Sequence, residues 1–310
     1  MLKKLIAMAV FLPSVLLAQP TTRIVVPYGP GGGNDTVARV LQKHLTESNT
    51  GVYVVENRPG AGGVIGTTHV VKSPPDGRTL LIHEITGLVF STHEQATPPY
   101  DWQNDLVPVA YLGTSLPIIL AVNSQSGIKS VKELVDLART RPVSYGTPGA
   151  GTGQHIFGAM LGEITRTQMT HIPYKSQAAV TQDLLGGQID FVFSTQQLVM
   201  PHIKSGKLTA LGIVSDHSMH GIPSIVNQGF PQFANRDRFF GLWAPAGTPP
   251  EVVKELRVII HKFMQGQLKE ELTNAYIISP TSTPPQDLVR EQNRIANSYK
   301  QIYRDYNIKQ

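Results

Sequence analysis

Val26-Pro27-Tyr28-Gly29-Pro30-Gly31-Gly32-Gly33-Asn34-Asp35 is answered later in the chain by Ser144-Tyr145-Gly146-Thr147-Pro148-Gly149-Ala150-Gly151-Thr152-Gly153. Each stretch reads as the end of a strand, a glycine-rich loop and the start of a helix. Such a loop lets backbone N–H groups converge where a helix leaves its first donors unpaired, so each copy is a candidate anion cradle. Glycines at a tight strand-to-helix turn explain one loop without any ligand. The repetition, with its shared Pro-Gly-x-Gly, points instead to two lobes closing on one anion.

Around the first loop, residues 23–26 read as a strand, 35–45 as a helix with Val37, Leu41 and Leu45 on one face, and 52–55 as a second strand. Ser48-Asn49-Thr50-Gly51 ends that helix. Pro59-Gly60-Ala61-Gly62-Gly63 then leads to a short helix ending at Lys72, a Pro74-Pro75-Asp76-Gly77 turn and a strand at 79–82. The centre repeats the grammar: helix 131–139 with Ser130 and Glu133 at capping-box spacing, strand 143–145, the second loop and helix 154–164. Strands at 169–172, 189–193 and 208–214 follow, separated by helices 178–185 and 198–204. A late strand at 239–244 precedes two helices whose starts, Thr248-Pro249-Pro250-Glu251 and Thr283-Pro284-Pro285-Gln286, match N-cap, N1 and N3 preferences. These helices are expected to pack back on the first lobe.

The alternation predicts an α/β fold of two lobes, each a mainly parallel sheet flanked by helices. Residues 19–115 and 237–310 are assigned to lobe 1 and 116–236 to lobe 2, with hinge crossings near 110–122 and 235–240. Residues 1–18 stand apart, because Lys3-Lys4, the apolar run from Leu5 to Leu17 and the small Ala18 read as a cleaved secretory signal, with a mature start at Gln19. No later stretch approaches the roughly 20 apolar residues of a membrane-spanning helix. The chain has no cysteine, which excludes disulfides and lipid attachment through an N-terminal Cys, so a freely diffusing periplasmic protein is expected. About 290 mature residues suit two domains with ample cores. The formal net charge of +5 falls to +3 without Lys3 and Lys4 and is spread with no Lys/Arg run. That biases the protein mildly toward anionic ligands and is too diffuse for a nucleic-acid footprint.

Familiar chemical motifs fail on inspection. Gly31-Gly32-Gly33 is not followed by Gly-Lys-Ser/Thr, so there is no P-loop; Gly60 and Gly62 are followed by Ile65 where a dinucleotide fingerprint needs glycine. His83-Glu84 would need a histidine where Gly87 stands to form a zinc motif, and no Gly-x-Ser-x-Gly elbow is present. Neither a metal nor a cofactor is expected. His155, just inside the second helix start, reads as a donor to loop carbonyls or to the anion, and less readily as a general base. Asp35 reads as a cap on the first loop's N–H groups, the sharper alternative being direct contact with a ligand hydroxyl or water. Lys175 and Arg39 read as surface or interlobe charges.

Residues 23–35, the segment Val55-Glu56-Asn57-Arg58-Pro59-Gly60-Ala61-Gly62-Gly63 with Gly66, and Asp76-Gly77 ahead of a strand resemble the tripartite tricarboxylate transporter substrate-binding proteins, the Bug family of periplasmic receptors. So do Tyr100-Asp101, the 147–152 loop with His155, His171-Ile172-Pro173-Tyr174-Lys175, residues 184–190 and Gly241-Leu242-Trp243-Ala244-Pro245-Ala246-Gly247. Together they cover nearly the whole mature chain in order. The resemblance implies a type II-like clam shell that captures a small organic carboxylate, often a di- or tricarboxylate, and presents it to the membrane components of a transporter. It implies no catalysis, and a monomer is expected.

Carried over position by position, the ligand-contacting set comprises Tyr28, Gly29, Gly31, Gly32, Gly33, Asn34 and Asp35 from the first loop. Thr147, Gly149, Ala150, Gly151, Thr152 and His155 come from the second. Ile85 and Thr86, with Gly87, follow strand 79–82, and Ser194 completes the set. Family members commonly carry an aspartate where this chain has Ser194, so the resemblance weighs against an ammonium-bearing ligand. Ser176 in place of a usual glycine, and Gly29 in place of a usual proline or alanine, alter the cleft near both loops. Two alternatives stay open: a secreted hydrolase or isomerase using His155 and Asp35, and a clam-shell sensor that signals through a partner.

Overall fold

The computed structural model describes residues 21–48, 51–93, 95, 97–281, 284–306 and 308. The signal-peptide reading of 1–18, Asn49 and Thr50 of the first helix stop, and Thr283 as a cap lie outside the described residues.

From β1 (Thr21–Val26) the chain passes through the first glycine loop into α1 (Gly33–Glu47), β2 (Val52–Asn57), α2 (Val64–Val71), β3 (Thr79–Glu84), α3 (Ile85–Phe90) and β4 (Leu106–Thr114). It crosses to β5 (Ile119–Asn123) and continues through α4 (Val131–Thr140), β6 (Val143–Thr147), α5 (Gly153–Thr165), β7 (Met169–Pro173), α6 (Gln177–Leu185), β8 (Phe191–Ser194), α7 (Gln196–Lys204) and β9 (Leu208–Ile213). It returns as β10 (Phe239–Pro245), followed by α8 (Pro250–Met264), α9 (Gln267–Asn274) and α10 (Leu288–Tyr306).

Two five-stranded sheets result, ordered β2-β1-β3-β10-β4 and β7-β6-β8-β5-β9. In the first, β1 is parallel to β2 and β3, and β10 is antiparallel to both its neighbours. In the second, β6 is parallel to β7 and β8, and β5 is antiparallel to both its neighbours. Each sheet therefore has a single opposed strand, and in each it is the strand that arrives from the other lobe. The glycine loops follow β1 and β6, the corresponding strands of the two sheets. Repeated sequence grammar has become repeated topology, and a doubly wound sheet of this kind places its ligand crevice at the carboxyl ends of the parallel strands.

The core follows from helical spacing. Val37, Leu41 and Leu45 of α1 are fully buried and pack with Ile24, Val26, Leu80 and Ile82 of the sheet. Each such side chain contributes about 1.5–3 kcal/mol on burial. Leu256, Ile260, Leu268 and Leu272 of α8 and α9 join the same cluster, as expected of helices packing on the first lobe. On the second sheet α5 lies directly over Tyr145, because Gly158 has no side chain where a Cβ would sit 2.2 Å from the ring.

Several elements differ from expectation. Thr248 does not cap α8: its hydroxyl donates back to the Pro245 carbonyl at 2.7 Å, and Pro249 takes the N-cap position. The last helix does not pack on the first lobe alone. Tyr299 of α10 has ring centroids 6.1 Å from Phe90 of α3 and 6.3 Å from Phe157 of α5, so its aromatic face spans both lobes. The expected crossing at 110–122 is mostly strand, which leaves only residues 115–118 between β4 and β5. Ser115 N donates to the Arg238 carbonyl at 2.8 Å, so the outgoing and returning crossings are hydrogen-bonded side by side. Among the described residues no helix is long and apolar enough to cross a membrane.

Candidate functional site

Five helix starts converge between the sheets: those of α1, α3, α5, α6 and α7. They surround a cavity of about 40 Å³ lined by Tyr28, Gly32, Gly33, Asn34, Asp35, Glu84 and Gly87 from one side and Pro148, Thr152, Gln154, Gln177 and Thr195 from the other. Arg238 and Phe240, on the returning crossing and the start of β10, complete the wall. Helix starts present N–H donors and the positive end of the helix dipole, so the convergence of α1, α5, α6 and α7, the short α3 being capped by its own Glu84, favours an anion.

The first loop is held by Asp35. Its Oδ2 accepts from Gly31 N and from Arg39 Nε, both at 2.9 Å, and its Oδ1 accepts from Asn57 Nδ2 at 2.9 Å. Burial pushes the Asp35 carboxyl up, but the hydrogen bonds from Arg39, Gly31 and Asn57 outweigh it and hold the group below its ordinary value. Asn57 also donates to the Tyr28 carbonyl at 3.0 Å, which ties the loop to β2. Asp35 thus borders the cavity with its charge already committed to the loop's shape.

The second loop stands on two histidines. Gly151 N donates to His155 Nδ1 at 3.3 Å, Thr147 Oγ1 lies 2.6 Å from His171 Nε2, and the two imidazole centroids are 4.3 Å apart. Burial lowers His155 to about 3, with His171 adding to the effect, and burial lowers His171 to about 4. Both rings are therefore neutral at physiological pH, and His155 carries its proton on Nε2 because Nδ1 is the acceptor. Thr152 caps α5 by accepting from His155 N at 3.4 Å and donates to the Gly149 carbonyl at 2.7 Å.

Gly29, Gly62, Gly149, Ala150, Gly151 and Ser91 form the rim on which the lobes meet. Gly29 N donates to the Lys175 carbonyl at 2.8 Å, and Ser91 Oγ lies 2.6 Å from the Gly62 carbonyl and 3.3 Å from that of Ala150. Gly149, at φ +131°, would bring a Cβ to 2.5 Å from Gly62 Cα. Here glycine lets the backbones of the two lobes touch.

Four of the lining residues carry a buried polar atom with no hydrogen-bond partner among the described residues: Asn34 Oδ1, Gln177 Oε1, Thr195 Oγ1 and Arg238 Nε. Arg238 is 3% exposed; its Nη2 donates to the Leu116 carbonyl at 3.0 Å and its Nη1 lies 3.8 Å from Glu84 Oε2. Glu84 caps α3, accepting from Thr86 N at 3.1 Å and from Thr86 Oγ1 at 2.5 Å. Burial raises the Glu84 carboxyl more than Arg238 and the Thr86 bonds lower it.

The family model described as "Tripartite tricarboxylate transporter family receptor" matches residues 37–308. The chain belongs to this receptor family. It is 32% identical over 300 residues to protein BugT of Bordetella pertussis, covering 92% of this chain and 91% of that one. Among solved structures, R. palustris Rpa4515 with adipate superposes with a TM-score of 0.85 at 25% identity, covering 93% of this chain and 97% of that one. The periplasmic binding protein BugD does so with a TM-score of 0.83 at 25% identity, covering 93% and 98%. Members of the family are periplasmic solute-binding receptors with two α/β lobes, and this receptor shares their fold and solute-binding role.

In this receptor Tyr28, Gly32, Gly33, Asn34, Asp35 and Thr152 of the expected set come together at the cavity, as does Gly87. Gly31, Thr86, Thr147 and His155 do not line it and bond the residues that shape the loops around it, and Ile85 is buried away from it. Gly29, Gly149, Ala150 and Gly151 form the rim. Ser194 faces Gln177, whose Nε2 donates to its hydroxyl at 3.2 Å, and Thr195 takes the place at the cavity. Ser194 does not line the cavity, and a carboxylate, Glu84, does, so the residue at 194 does not weigh against an ammonium ligand. Glu84, Gln154, Gln177, Thr195, Arg238 and Phe240 escaped the sequence reading, whereas Pro148 lies within its second loop, 147–152. A signal existed for Glu84, Gln177 and Thr195, which sit at helix starts after β3, β7 and β8. None existed for Arg238.

Proposed function

We propose that this receptor is exported by cleavage of residues 1–18, captures a small organic carboxylate in the periplasm between lobes 19–115 with 237–310 and 116–236, and delivers it unchanged, as a monomer, to the membrane components of a tripartite tricarboxylate-type transporter. The observation that carries this reading is the convergence of the helix starts of α1, α5, α6 and α7 and the buried Arg238 guanidinium on one cavity, with Thr195 Oγ1 and Arg238 Nε left without partners among the described residues. That is a donor set for a carboxylate. The proposed contacts are Tyr28, Gly32, Gly33, Asn34, Thr152, Gln154, Gln177, Thr195 and Arg238, with Asp35 shaping the loop. Adipate, held by the similar Rpa4515, sets the class of acid to try first.

A hydrolase built on His155 and Asp35 is disfavoured by the same geometry. His155 is turned to the Gly151 backbone, and the Asp35 carboxylate accepts from three donors. Thermal-shift screening of purified protein against small mono-, di- and tricarboxylates tests the reading, because a ligand at 100 times its Kd adds about 2.7 kcal/mol. Stabilisation by at least one acid, with no product by mass spectrometry, is the expected result. No stabilisation by any acid, or protein-dependent turnover, would refute it.

A further inference from the structure

We propose that Glu84 and Gln177 make this receptor selective for carboxylates that carry a hydrogen-bond donor, a hydroxyl or an ammonium group, beside the carboxylate. The inference rests on the cavity being the ligand site and goes on to the chemistry of its occupant.

The cavity holds acceptors as well as donors. Gln177 Nε2 donates to Ser194 Oγ at 3.2 Å, which orients the amide so that Oε1, buried and unpartnered among the described residues, belongs to the cavity wall. Glu84 has two oxygens with about four lone-pair sites, and Thr86 fills one on each oxygen. The Arg238 guanidinium, at 3.8 Å, is beyond hydrogen-bond reach of Oε2 and leaves the remaining sites open.

Position makes these acceptors consequential. A Cβ built on Gly153, the first residue of α5, would lie 3.8 Å from Glu84 Oε2 and 3.3 Å from Arg238 Cδ. Glu84 therefore sits beside the helix start and the guanidinium that would receive a ligand carboxylate. Two carboxylates facing one another in so small a space repel, and a buried acceptor left unmatched is costly. A donor on the ligand, reaching Glu84 or Gln177 while the ligand carboxylate takes Arg238 and the helix starts, resolves the conflict at the group it meets. A plain acid resolves neither, and an uncharged polyol leaves Arg238 without an anion.

The test uses calorimetry on the full mature protein with three matched sets: propionate, lactate and alanine; succinate, malate and aspartate; glutarate, 2-hydroxyglutarate and glutamate. A hydrogen bond to a charged group supports a preference of roughly 10- to 150-fold for the best donor-bearing member of a set over its plain acid. Glu84→Gln, which keeps the shape and a cap oxygen for α3, should cut that preference to below about threefold, and Gln177→Met should reduce it by about fivefold. If Glu84→Gln fails to fold, as judged by circular dichroism, the Gln177→Met comparison carries the test. A plain acid that matches or outranks its donor-bearing partners, or a preference that survives the substitution, overturns this inference while the receptor reading stands. Silence from all nine acids overturns this inference; only if adipate and the tricarboxylates of the wider screen are silent too does the small-carboxylate reading fall with it.

Discussion

Gly151→Ala should separate folding from lobe closure. Gly151 has φ +76°, and a Cβ built there lies 2.4 Å from Ser91 N and 2.5 Å from the Phe90 carbonyl carbon, backbone atoms of the opposite lobe. Ordinary contact begins near 3.5 Å, so the lobes must part by about 1 Å at this rim. Gly127 is the matched control: its φ is +74°, and nothing lies within 4 Å of the corresponding Cβ. An alanine at either position bears the same left-handed backbone cost of about 1–2 kcal/mol. Both variants should therefore unfold a few degrees below wild type when free, by roughly 2–4 °C per kcal/mol for a chain of this size. Only Gly151→Ala adds a steric penalty to the closed arrangement. Overpacking costs about 1–3 kcal/mol, which predicts a 5- to 150-fold loss of affinity for whichever acid stabilises the wild type. Titration calorimetry of the three proteins reads the difference directly. Equal affinity in Gly151→Ala and Gly127→Ala would show that this rim contact does not accompany ligand capture.

Arg238→Gln should fold and bind carboxylates roughly 10- to 150-fold more weakly, as measured by calorimetry, since it removes a charge-assisted partner while keeping a donor for the Leu116 carbonyl. The Asp35 carboxyl is held below its ordinary value of 3.8, so its contribution is present above that pH and is lost as pH falls through the lowered value. Asp35→Asn should accordingly lower the melting temperature at pH 7 and flatten its decline below pH 4, by calorimetric scans at several pH values. His155, lowered from 6.5 to about 3, is neutral when folded and takes up its proton more readily when unfolded, so stability should fall as pH drops from 6.5 toward 3. Replacing it by glutamine should remove about one proton from that slope, and its imidazole resonances should remain those of the neutral ring at pH 5.

Much of the fold was legible because its elements carry one-sided patterns. Val37, Leu41 and Leu45 mark the buried face of α1, and Ser130 does cap α4, accepting from Glu133 N at 3.1 Å. What escaped had no such contrast. All six residues of α3 are buried, so no amphipathic period distinguishes it from a loop. Strands β4 and β5 sit in one nearly continuous apolar run, and only the short Ser115-Leu116-Pro117 interruption marks the change of lobe. The cradles were visible because glycine is chemically conspicuous, but the inward-facing residue within each was a matter of a single step. Gln154 borders the cavity while His155, about 100° further round the helix, turns to the loop behind it. Thr195 and Ser194 differ in the same way at the end of β8. Arg238 is buried only because the returning crossing lies beside the outgoing one, a relation between segments distant in sequence.

That crossing also suggests where the energy of capture arises. A ligand shifts a two-state equilibrium only through interactions that differ between the states. Asp35, Asn57 and Arg39 bond one another within the first lobe, so their contribution is the same whether the lobes meet or part, and they set the shape of a half-site. The Thr152, Gln154, Gln177 and Thr195 side of the cavity comes within reach of the Glu84 and Tyr28 side only when the lobes meet. Arg238 stands between them: Ser115 N of the outgoing crossing donates to its carbonyl, and its guanidinium donates to the Leu116 carbonyl. An anion seated on that guanidinium is thus fixed to both crossings. The helix starts of the second lobe face the same cavity from across the cleft. Affinity on this view is made across the cleft, while each glycine loop alone supplies shape.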